Sequence, residues 1–134
     1  QESEAVNLNN LKTFKLVPTR DHGWTIDGVP YDMHGASAKE TVKFGDTEIW
    51  EFDNTVAGMP HPIHIHGTPF QVLSRQSGNF TGAMDLGWKD TVLLLPGDKV
   101  RLLKRFNTHK GLFVYHCHNL EHEDVSMMRN FVVQ

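Results

Sequence analysis

The sequence predicts an all-β domain, an antiparallel sandwich or barrel. Three observations predict it. Short runs rich in β-branched and aromatic residues recur along the chain, turn residues stand between them, and no long stretch carries helical periodicity. At 134 residues the chain makes one domain, large enough to bury a sizeable core.

Taken in order, residues 1–12 (Gln1 to Lys12) are polar and lack a period, and read as a linker or entry arm to a domain over 13–134. Thr13 to Val17 is the first expected strand, ending at Pro18. Trp24 to Ile26 stops at Asp27-Gly28, and Glu40 to Phe44 stops at Gly45-Asp46. Glu48 to Phe52 alternates before Asp53-Asn54. In His61-Pro62-Ile63-His64-Ile65-His66, Pro62 predicts a break after His61, and His64 and His66 share a face at i and i+2. Phe70 to Leu73, Thr91 to Leu95 (stopped by Pro96-Gly97-Asp98), Val100 to Phe106 and Leu112 to Cys117 follow. Asn130 to Val133 closes the chain, and Asn119 to Glu123 suits a short turn of helix. There are no repeats and no low-complexity tract.

Composition excludes little but guides the rest. A net charge of −3 gives no reason to propose nucleic acid or an anionic membrane surface as partner. No apolar run approaches a transmembrane helix in length, and no basic-then-apolar secretory segment opens the chain. A single cysteine rules out an internal disulfide.

That cysteine sits in the densest chemistry of the chain. Cys117-x4-His122-x4-Met127 puts thiolate, imidazole and thioether on one short segment. This soft set selects copper, in a trigonal two-histidine, one-cysteine site with a weak axial sulfur. The second imidazole comes from His61, His64 or His66, which leaves two over. If the strand from Leu112 persists through His118, Cys117 faces one way and His116 and His118 the other. The thiolate would then hold one copper, while the flanking imidazoles hold other metal across the sheet. Cys117 alone would read as a small buried hydrophobe. A zinc site is the alternative, since zinc also takes cysteine and histidine. That reading leaves the further histidines and Met127 unused.

The pair His61-x2-His64-x-His66 and His116-Cys117-His118-x3-His122-x4-Met127, with Gly87-Trp88-Lys89-Asp90-Thr91-Val92, resembles the last domain of multicopper oxidases. The likeness runs from about Thr13 onward and is similar to bilirubin oxidase and bacterial laccases. It implies a Greek-key β-sandwich or barrel of the cupredoxin type. It also implies a type 1 copper on His61, Cys117, His122 and Met127, a type 2 copper on His64, and type 3 coppers on His66, His116 and His118. Met127 as axial ligand implies a lower reduction potential than in relatives with leucine or phenylalanine there. Glu123 matches an acidic residue that relays protons to oxygen intermediates, against the alternative of a solvated loop carboxylate. Asp90 reads either as the acceptor orienting a histidine or as a strand-edge charge. Met59 reads as core near the blue copper; His22, His34 and His109 as surface or loop residues; and Trp24, Trp50 and Trp88 as core.

The resemblance also shows what a chain of this length lacks. The family's trinuclear cluster takes eight histidines, and the motifs here supply four of them. The resemblance therefore implies, as partners, the N-terminal cupredoxin domain or domains of the same oxidase, a small-molecule electron donor and dioxygen. The chain is expected to be the copper-bearing C-terminal domain cut from a larger oxidase, or one that pairs with a separate domain, and inactive as an oxidase by itself. An exported location (periplasmic, secreted or spore-coat) is implied by the family alone. Two alternatives stand beside the oxidase: a blue copper electron-transfer module without the cluster, and a copper-free scaffold. The donor stays open, since the five methionines form no metal-collecting tract. The segment Ser77 to Gly82, which holds a weak glycosylation triplet at Asn79, reads as a loop that could border the donor site.

Overall fold

A computed structural model describes residues 4–19, 23–28, 36–56, 60–76, 85–117 and 128–134; of Thr19, Gly23, Trp24 and Cys117 it describes the backbone, so the core placement expected of the Trp24 side chain lies outside it. Eleven strands fill these residues: β1 (Lys12–Thr19), β2 (Gly23–Ile26), β3 (Thr41–Val42), β4 (Thr47–Asp53), β5 (His61–Ile65), β6 (Phe70–Gln76), β7 (Trp88–Lys89), β8 (Thr91–Leu94), β9 (Lys99–Arg105), β10 (Gly111–Cys117) and β11 (Met128–Val133). They form a six-stranded sheet, β2-β1-β4-β9-β6-β7, and a five-stranded sheet, β3-β11-β10-β5-β8. The expected all-β architecture is found, and no α-helix occurs among the described residues. The helical turn expected at 119–123 lies outside them.

The core lies between the sheets because alternate residues of each strand face inward. Phe14, Leu16, Trp50, Phe52, Phe70, Val100 and Leu102 come from the first sheet, and Ile63, Ile65, Val92, Leu94, Tyr115, Phe131 and Val133 from the second. Aromatic rings interlock at its centre, with Phe14 and Trp50 at 4.8 Å and Trp50 edge-on to Phe131 at 5.6 Å. A smaller apolar cluster on the outer side of the first sheet joins Ala5 to Ile49 and Leu103. There the Asn7 side chain both donates to the Ile49 carbonyl and accepts from the Ile49 N–H, each at 2.8 Å. This clip satisfies the start of β4, because β1 pairs with β4 only from Trp50 onward.

Several details differ from expectation. Two strand pairs, β1 with β4 and β3 with β11, are parallel within an otherwise antiparallel design. β1 continues through Pro18 to Thr19: its pairing with β4 stops at Lys15, so the missing proline N–H withdraws no bond from that ladder. Pro62 likewise does not break β5. It lies one residue beyond the last β10 partner, Ile63, and pairs with Leu93 of β8. β3 is only two residues long, since Lys43 to Asp46 turns around Gly45 at φ +91°.

Candidate metal centre

The site grows from the register between β5 and β10. His116 stands directly opposite His64, Tyr115 opposite Ile65, and Cys117 opposite Ile63. Ile63, Ile65 and Tyr115 are buried in the core, so the intervening positions belong to the outer face of the five-stranded sheet. His64 and His116 share that face, and His66 joins them two residues on from His64. The His66 backbone N–H donates to the Val114 carbonyl at 3.0 Å, which ties the end of β5 to β10.

Three imidazoles therefore meet. One ring nitrogen from each of His64, His66 and His116 lies within 4.8 Å of the others. The Nε2 atoms of His66 and His116 are 3.2 Å apart, and the His64 and His66 ring centres are 4.7 Å apart. His64 is held by its other nitrogen: Nδ1 lies 2.9 Å from the Asp90 carbonyl and 3.1 Å from Thr91 Oγ1. A carbonyl can only accept, so Nδ1 carries the hydrogen and Nε2 keeps its lone pair. Thr91 in turn donates to Asp90 Oδ1 at 3.2 Å. The acceptor that orients His64 is a backbone oxygen, which any residue here would supply, and not the carboxylate expected of Asp90. Its backbone carbonyl orients His64, while its carboxylate sits exposed beside β8 and steadies the threonine.

The donor set fits a transition-metal cation. Two imidazoles on one ion, with bonds of about 2 Å near tetrahedral angles, hold their nitrogens roughly 3.3 Å apart. The His66–His116 separation matches. Imidazole suits copper, and it suits zinc as well, so these three residues alone do not choose between them.

The second group of predicted ligands is placed only in part. His61 opens β5 and is fully buried, with the inward parity of Ile63 and Ile65. Cys117 closes β10 at the register of that same inward set. The expected alternation therefore holds for the backbone: position 117 belongs with His61, and His116 with His64 and His66. His118, His122, Glu123 and Met127 lie outside the described residues, as do His22, His34, Met59 and residues 77–82. Met128, beside the predicted axial ligand, pairs with His116 across β10 and β11.

Trp50 is core as expected, but Trp88 is 65% exposed. It lies on the two-residue edge strand β7 and lines a groove of about 490 Å³ with Pro69, Gln71 and Arg105. His109 is exposed. One buried charged group stands outside the residues that the sequence motifs single out. Lys104 is 2% exposed, and burial pulls its pKa down to about 8. Its signal was present, because Val100, Leu102 and Phe106 all face the core and Lys104 shares their parity.

Residues 5–134 match the multicopper oxidase family. The chain is 36% identical to a laccase of Bacillus subtilis over 140 aligned residues, covering 91% of this chain and 27% of the relative. It is 39% identical to bilirubin oxidase of Albifimbria verrucaria over 111 residues, covering 81% of this chain and 19% of that protein. Among solved structures, a multi-copper oxidase from Pediococcus acidilactici superposes with a TM-score of 0.78 at 36% identity, over 92% of this chain and 26% of that one. McoA from Aquifex aeolicus superposes with a TM-score of 0.77, also at 36% identity, over 92% and 29%. The chain thus spans 27% and 19% of the length of these two curated relatives. With its cupredoxin-type fold and its histidine cluster, this chain belongs to the multicopper oxidase family.

Proposed function

We propose that the chain is the copper-bearing domain of a laccase- or bilirubin-oxidase-like enzyme, carrying a mononuclear site and half of a trinuclear cluster. The observation that carries this reading is the convergence of His64, His66 and His116 on one sheet face, with Cys117 next in sequence at the opposite parity. In this assignment His61, Cys117, His122 and Met127 hold type 1 copper, His64 type 2 copper, and His66, His116 and His118 the type 3 pair. Bound copper would supply one-electron redox chemistry, taking electrons singly from a small-molecule donor and passing four to dioxygen to give two waters.

The residues do the arranging. Cys117 and His116 are consecutive, so a few covalent bonds join the thiolate side of the strand to the imidazole side. The Asp90 carbonyl keeps His64 in the tautomer whose Nε2 can bind metal. Glu123 would hold a proton near the cluster for delivery to reducing oxygen. The remaining histidines would come from another cupredoxin domain of the same oxidase, and an exported location is part of the same proposal.

Copper stoichiometry, visible absorption and oxygen uptake test this together. One copper with an intense thiolate band and no oxygen uptake is expected of the chain alone, and about four coppers with uptake on a phenolic donor once the partner domain is present. Cys117→Ser is expected to abolish both the band and turnover in the intact oxidase. Turnover retained in that variant would refute the assignment of Cys117.

A further inference from the structure

The buried lysine belongs to neither site and has no evident reason to be there. Lys104 of β9 sits opposite Phe70 of β6, and its ammonium reaches back to the turn that follows His66. It donates to the Thr68 carbonyl and, at 3.1 Å, to Thr68 Oγ1, while the Thr68 hydroxyl donates to the Arg105 carbonyl at 2.6 Å. A Cβ built on Gly67 would come 3.8 Å from the ammonium, so the charge lies directly beneath residues 67 and 68. Among the described residues no carboxylate forms an ion pair with it. Its ring neighbour, Phe106 at 5.5 Å, gives modest compensation.

On stability grounds this is the wrong residue. An ammonium 2% exposed and without an ion pair among the described residues carries a desolvation penalty that a methionine of similar length would avoid. What the lysine does achieve is geometric. The segment His66-Gly67-Thr68 has two anchors. On one side the His66 N–H is bonded to Val114, two residues before His116. On the other, Lys104 grips Thr68 and packs under Gly67, which lies at φ +97°. Lys104 and His66 also border the same small void, of about 20 Å³, which leaves room for no more than about one water.

We infer that Lys104 is a positioning residue: its ammonium clamps the turn after His66 and thereby sets the His66 ring against His116 for metal binding. The inference rests on the proposed metal-binding role of the three histidines, and the experiment separates the two. Zinc(II) alone is titrated into the protein and followed on the ¹⁵N ring resonances of His64, His66 and His116, for the wild type, Lys104→Met and Lys104→Gln. Lys104→Met is expected to shift the His66 and His116 resonances of the metal-free protein while leaving His64 in place. It should weaken zinc binding about tenfold, with a Tm equal to or above wild type. Lys104→Gln keeps an N–H donor for Thr68 and is expected to recover most of the affinity. Wild-type zinc affinity and unmoved ring resonances in both variants would overturn the inference. So would a lowered Tm with all three histidines disturbed alike, which is what a merely structural lysine produces. If the wild-type rings show no response to zinc, the metal-site reading itself fails.

Discussion

Tyr115, the residue just before His116, shows how a single position can anchor a site from the core side. Its hydroxyl donates to Glu40 Oε2, and Arg129, its register partner on β11, holds the same carboxylate through two bonds of 2.6 and 3.0 Å. Burial pushes the Glu40 pKa up, but the hydrogen bonds from Arg129, Tyr115 and Ser37 outweigh it and leave it below its ordinary value of 4.5. The Tyr115 phenol is pushed well above its usual range, first by burial and then by the adjacent Glu40 charge. The folded state therefore binds fewer protons at Glu40 than the unfolded chain, so this contribution to stability is present above about pH 4.5 and is lost as pH falls through the lower folded value. At Tyr115 the sign reverses: stability is held below about pH 10 and declines as pH rises beyond it. Glu40→Gln strands the Arg129 charge in a partly buried site and is expected to cost about 3 kcal/mol near neutral pH. Urea midpoints measured against pH check this, because the variant should also lose Glu40's share of the acid-side decline below about pH 4.5, while the share of other carboxylates held below their ordinary values, such as Asp53, remains.

At the scale of elements, the alternation of β5 and β10 does the sorting, and it was the most legible feature of the sequence. A period of two, read from His64 to His66 and from His116 to Cys117, separates an imidazole face from an inward set without knowledge of the partner strand. What could not be read was which neighbour each strand meets. Pro18 and Pro62 signal breaks only if both sides of their strands are paired, and here each lies where one ladder has already ended. Trp88 suggested core by residue type, yet β7 is a two-residue edge strand and leaves the indole in solvent. Lys104 escaped notice because a charged residue in an alternating strand normally marks the outer face. The arm before β1 carries its own device in Asn7. Asn7→Ala removes both bonds to Ile49 and leaves two backbone groups of a partly buried strand end to water, with an expected cost of about 1–2 kcal/mol. Equilibrium denaturation measures it, and a change under a few tenths of a kcal/mol would show that residues 4–11 contribute little to holding β4.

For the whole molecule, the two sheets are held by one continuous core, whereas the histidine cluster lies on the outer face of one of them and takes no part in that packing. On the proposed reading, the domain is expected to fold with these three imidazoles already assembled, so that metal binding would add to a structure that already exists. This differs from small zinc modules, which are unfolded without their ion. A ligand that binds only the native state stabilises it by mass action, by about 2.7 kcal/mol at a free concentration a hundred times its dissociation constant. For a domain of 134 residues that corresponds to a rise in Tm of roughly 10 °C. Copper(II) added to the metal-free chain is expected to raise Tm on this scale, and a chelator to return it to a well-defined cooperative transition rather than to an unfolded chain. The size of the rise should grow with the logarithm of free copper, which distinguishes a specific site from general ionic effects. A Tm indifferent to copper would mean that the cluster binds no better in the folded state than scattered histidines do in the unfolded one. Loss of the cooperative transition on chelation would mean that the core cannot hold the sandwich alone.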